Sequence, residues 1–153
     1  MPKFELQISE WLKGNASACA FAISLFNALH FWDDLIDNDN HPSSSKINSA
    51  MWDLLIEIPS NPFYQANFSA LQPIIKMGII NWHTANTIEV SDDEKLKRYS
   101  FVMRSVITDY IAASALIIGG LEWAKHVHME MLLANEETFE QYCESLKKEK
   151  RER

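Results

Sequence analysis

The chain has 153 residues, of which 47% are apolar, and a formal net charge of −7. That length suits one domain with a single real core, and that apolar fraction excludes a disordered chain. The last stretch, Lys147–Arg153, holds five basic and two acidic residues, so the body before it carries −10, a balance that excludes a basic nucleic-acid-binding face.

Pro2 suits the first position of a helix. Phe4, Ile8, Trp11 and Leu12 then recur at helical spacing, and Gly14 marks the stop. The second helix is expected at about 16–38. Its first seventeen residues, Ala16–Trp32, carry no charge, so it reads as apolar nearly all round and belongs at the centre of a bundle. The run is shorter than the ~20 residues a membrane span needs and contains Asn27 and His30, so a core helix is expected and no membrane role. Asn40-His41-Pro42 stops it, with Asn38 or Asn40 available for a left-handed cap and Asp39 for a turn.

Ser43–Ser45 offer an N-cap to a third helix with a regular apolar stripe: Ile47, Met51, Leu54, Leu55 and Ile58. Asn61-Pro62 opens the next element, and Pro73 is expected to split or kink the helical pattern from Phe63 to Glu89. Ser91-Asp-Asp-Glu94 has the form of a capping box. The helix it opens places Leu96, Tyr99, Met103, Val106, Tyr110, Ala113 and Ile117 on one face, until Gly119-Gly120 breaks or bends it. Leu121–Ala134 continues as helix, and Asn135-Glu136-Glu137 caps a last polar one. No period-2 strand pattern and no repeat is visible. The fold class is therefore all-α: a single-domain bundle of six or seven helices around the buried central one, spanning 1–146, with 147–153 as a charged tail.

Cys19 and Cys143 are the only cysteines, so there is no disulfide framework and no thiolate metal site. Met1–Leu12 has acid and Trp where a signal sequence would need an apolar run, and a reducing, cytoplasmic setting is expected.

The central helix ends in Asp33-Asp34-Leu35-Ile36-Asp37. The C-terminal end of a helix carries roughly half a negative charge, so each carboxylate there costs about 0.3–1 kcal/mol. Solvent, arginines from neighbouring helices, or a bound cation must offset it. Asp33 and Asp37, like Asp34 and Asp37, share a helix face at these spacings. An oxygen-only set of this kind suits Mg²⁺ or Mn²⁺, and magnesium so held accepts substrate phosphates. Short connections make successive helices antiparallel, which brings the acids toward His83, Asn86 and Glu89 and toward Lys95, Lys97 and Arg98.

This stretch resembles the DDxxD aspartate-rich motif of class I isoprenoid synthases, an all-α family whose motif binds magnesium carrying a substrate diphosphate. Asn81-Trp-His-Thr-Ala85-Asn-Thr-Ile-Glu89 is similar in spacing to the family's second metal motif, with the Asn and Glu in place and Trp82 and Ala85 at the positions between. The antiparallel packing offers Lys95, Lys97 or Arg98 to phosphate oxygens, and the resemblance implies metal ligands at Asp33, Asp34 and Asp37 with a possible second metal face at Asn81 and Glu89. It implies binding, hydrolysis or diphosphate departure of a phosphorylated small molecule. All-α nucleotide pyrophosphohydrolases offer a looser analogy, also pairing acidic motifs around magnesium.

Against this stands a solvated helix exit, with the chain a non-catalytic helical protein acting on a protein partner, for instance as a homodimer. Three further readings are local. Glu122, His126 and Glu130 form a solvated stripe rather than a di-iron set, which needs Glu-x-x-His. His30 is placed to hydrogen-bond Asp34. Asp109, alone in an apolar stretch, is expected to be paired or to face a cavity.

Overall fold

The computed structural model describes residues 3–37 and 41–152, and every regular element within them is a helix. The helix start expected at Pro2 and the stop expected at Asn38–Asn40 lie outside the described residues. Helix α1 (Lys3–Trp11) ends in a turn with Lys13 and Gly14 both at positive φ, and the Gly14 N–H donates back to the Ser9 carbonyl at 2.8 Å. Asn15 caps α2 (Ala16–Asp37) by accepting the Ala18 N–H at 3.0 Å. Helix α2 lies at the core as expected but is buried on one face, through Ala18, Phe21, Ala22, Leu25, Ala28 and Phe31, while Asn27, His30, Leu35 and Ile36 are exposed.

Around it lie α1, α3 (Ser44–Trp52), a π-helical turn (Asp53–Glu57), α4 (Ile58–Ser60), α5 (Pro62–Ala66) and α8 (Val106–Ala134). Helix α6 (Phe68–Glu89) packs against both α8 and α7 (Glu94–Met103), and α9 (Phe139–Glu152) closes on α7. Gly78 sets the α6–α8 spacing, because a Cβ there would lie 2.4 Å from Val106 Cγ1. Helix α8 bends where expected, at Gly120 with φ 80°. It is the one helix among the described residues long and apolar enough to cross a membrane, and its Val106, Tyr110, Ile111, Ala115, Ala124 and Val127 lie in the core. The basic stretch 147–152 continues α9 as helix, anchored by buried Tyr142 and Leu146.

Four expectations are corrected. Pro73 lies inside a continuous α6. The break falls earlier, at Asn67, whose side chain donates to the Phe63 carbonyl at 2.8 Å and stops α5. The cap of α7 is Asp93, not Ser91. Asp93 accepts from the Lys95 and Leu96 N–H groups, while the Ser91 hydroxyl turns back to the Ile88 carbonyl. The long helix expected after it is two, parted at Arg104-Ser105, and Leu96 and Tyr99 are exposed.

The fourth concerns the regular stripe. Only Ile58 is buried, and Ile47, Met51, Leu54 and Leu55 face outward. The π-turn explains this. The Ile58 N–H donates to the Asp53 carbonyl, five residues back, so one extra residue sits in the turn. Ala50 and Ile58 point inward, and the stripe between them is rotated away from the core.

Candidate functional site

The ends of α2 and α6 do meet, and Arg104 joins them. Arg104 is the C-cap that follows α7, at the break, and its side chain turns inward. Its Nε and Nη2 grip both oxygens of Glu89, the latter at 2.7 Å. Nη1 donates to Asp33 Oδ1 at 3.1 Å, and Nη2 also reaches Asn86 Oδ1 at 3.3 Å. The guanidinium lies 5.0 Å over the ring of Trp82, which stacks on Trp32. A two-pronged clasp of this kind is what the planar arginine fork provides and a lysine would not. Burial works against the Arg104 charge, but the hydrogen bonds and attraction of Glu89, then Asp33, overcome it and raise its pKa above arginine's ordinary value.

Helix α9 completes the cluster. The Tyr142 hydroxyl donates to Glu89 Oε1 and lies 2.8 Å from Ser100 Oγ, which itself donates to the Lys97 carbonyl. Burial, reinforced by the bond to Glu89, pushes the Tyr142 hydroxyl above the usual tyrosine range. Beneath the clasp, Trp82 Nε1 is buried with no hydrogen-bond partner among the described residues.

The other acids divide. Asp34 pairs with Lys46 of α3 at the surface. Asp37 faces a cleft of about 80 Å³ shared with Asn86, Glu89 and Glu149. Asp33 and Arg104 line a broader cleft of about 410 Å³ with Tyr142. Of the three ways to offset acid at the end of α2, cations from neighbouring helices serve Asp33 and Asp34. Among the described residues no three His, Cys, Asp or Glu side chains gather in a way that could hold a metal ion. Asn81 stands two turns before Glu89 on α6, with no hydrogen bond or ion pair to the acids.

The basic residues expected there lie elsewhere. Lys97 is buried against Glu94 of its own helix, Arg98 lies 4.8 Å over the Phe139 ring, and Lys95 is exposed. His30 Nδ1 is 3.1 Å from the Phe26 carbonyl rather than bonded to Asp34, and Asp109 is exposed. The expected stripe on α8 is solvated: His126 pairs with Glu130 at 3.3 Å, Lys125 with Glu122 at 3.1 Å, and Glu130 also accepts from Trp11 Nε1.

Arg104 and Tyr142 are the residues that sequence reasoning missed. A usable signal existed, since Arg104 is the one cation in the run Tyr99–Leu121 and a cation among apolar residues demands carboxylates. Chemically the cluster is a structural clasp joining α2, α6, α7 and α9, with both Glu89 oxygens engaged. No family model, no curated protein and no solved structure matches this chain.

Proposed function

We propose that this chain is a non-catalytic helical protein that acts by associating with another protein, a second copy of itself in the simplest case, through the ridge formed by α3 and the π-turn. The outward turn of its most regular apolar stripe carries this reading. Ile47, Met51, Leu54 and Leu55 are exposed, joined by Trp52 at 58% and Ile56 at 43%. A cluster of large apolar side chains with a Trp is what association surfaces present.

Surface area supports it. A compact monomer of 17.6 kDa exposes roughly 7,900 Å². This chain exposes 9527 Å², an excess of about 1,600 Å², whereas a standard interface covers about 800 Å² on each partner.

Sedimentation velocity tests it over about 1–100 μM chain, the range that reads micromolar dissociation constants. A concentration-dependent dimer is expected, returned to monomer by Trp52→Glu with Leu55→Glu at unchanged helicity. A monomer throughout overturns self-association. The other reading, metal-dependent binding of a phosphorylated molecule, has Asp37, Glu89 and Glu149 bordering one cleft but no three such side chains gathered to hold a metal ion among the described residues. A rise in melting temperature with millimolar Mg²⁺ or Mn²⁺, lost in Asp37→Ala, would favour it instead.

A further inference from the structure

A different face of α2 from the one carrying Asp33 and Asp37 borders a cavity of about 320 Å³. Leu25 and Trp32 of α2, Ile75 of α6 and Val106 and Tyr110 of α8 form its wall. At its mouth Leu54 of the π-turn and Ile79 of α6 are each 42% exposed, so the entrance is open. No charged side chain among the described residues lines it.

Two lining side chains carry polar groups, and neither group has a hydrogen-bond partner among the described residues: the Tyr110 hydroxyl and the Trp32 indole N–H. Tyr110 is only 2% exposed, and its ring is held edge-on to Phe21 at 6.5 Å, so it is fixed in place with its hydroxyl unpaired. Burial keeps that hydroxyl protonated well beyond neutral pH, hence a neutral donor and acceptor. The Tyr110 hydroxyl offers one polar contact in the wall of an otherwise apolar cavity, and a ligand that fills the cavity can take it up.

The geometry points to a binding site for a small neutral apolar molecule with one hydrogen-bonding oxygen, an alcohol, ketone or phenol, whose carbon frame fills the cavity and whose oxygen pairs with Tyr110. At about 30 Å³ per water-sized unit, the space suits about ten non-hydrogen atoms. A carboxylate or phosphate would lose its hydration there and meet no cation. An apolar side chain from a protein partner would fill the space yet leave the hydroxyl unpaired.

Calorimetry and thermal melting of the full chain with nonanol, decane and nonanoate test this. Nonanol is expected to bind once per chain, raise the melting temperature, and bind about threefold to tenfold tighter than decane, with nonanoate weakest. Tyr110→Phe should reduce nonanol to the level of decane and leave decane unchanged. Ile79→Trp, at the half-exposed mouth, should block both without lowering the melting temperature of the free chain. Absence of saturable nonanol binding, equal binding of nonanol and decane to the unaltered chain, or binding that survives Ile79→Trp would overturn the site. So would nonanol affinity that falls as chain concentration rises, which would give the cavity to a second copy.

Discussion

The acid end of α2 and the ridge of α3 with its π-turn present opposite cases. Acid at a helix C-terminus looks unsatisfied on electrostatic grounds, yet Asp33 and Asp34 each find a cation within the chain. An apolar stripe at helical spacing looks like core, yet four of its five residues face out. The difference teaches where the fold keeps its internal accounts balanced. Charges at the end of α2 are neutralised by other helices of the same chain, while the apolar stripe of α3 and its π-turn stays exposed.

The largest test strikes the clasp. Arg104→Met leaves Glu89, whose side chain is 9% exposed, without its cation, and breaking a buried pair in this way costs about 3–5 kcal/mol. Urea unfolding should show that loss, and adding Glu89→Gln should recover part of it, as coupled sites do. A loss below about 1 kcal/mol, the scale of an exposed pair, would mean that the cluster is no more than a surface network.

High pH tests the same region through Tyr142. Its folded pKa is raised by burial and by Glu89, so the unfolded chain gives up this proton first. The stability it contributes is fully present below the unfolded tyrosine value of about 10 and is lost as pH rises beyond it. Absorbance of the tyrosinate band should rise together with loss of helical circular dichroism, and Tyr142→Phe should weaken that coupling. Smaller still is Lys46→Met, which removes a half-exposed partner of Asp34 and should cost no more than about 1 kcal/mol in the same urea assay.

The ridge supplies the smallest effect. Leu55→Ala at micromolar dilution should change stability by no more than about 0.5 kcal/mol, whereas a buried leucine loses about 2–5 kcal/mol on the same change. A core-sized loss at high concentration that vanishes on dilution would sharpen the comparison, because the ridge would then be buried between chains.

The legible parts of the fold were those written in local chemistry. The charge-free run ending at Trp32 announced a central helix, Gly14 and Gly120 marked a stop and a bend, and Asn61-Pro62 opened α5. Alternation of helix direction foresaw that Asp33, Asp34 and Asp37 would approach His83, Asn86 and Glu89. Asp37 shares a cleft with the last two, whereas Lys97 and Arg98, expected there too, lie against Glu94 and Phe139. The break at Arg104-Ser105 was not legible, because neither residue is a helix breaker and the apolar period from Met103 to Ile117 runs straight through it. Losing that break hid Arg104, and with it the reason acid is tolerated beside Glu89. The π-turn was equally silent, since Asp53–Glu57 keeps a helical composition and only the hydrogen bond from Ile58 to Asp53 reveals the added residue.

That added residue gives the molecule an economical evolutionary handle. Removing one codon within Asp53–Glu57 would restore α-helical phase and swing the upstream helix about 100° relative to Ile58, tucking greasy side chains toward the interior without altering a single one of them.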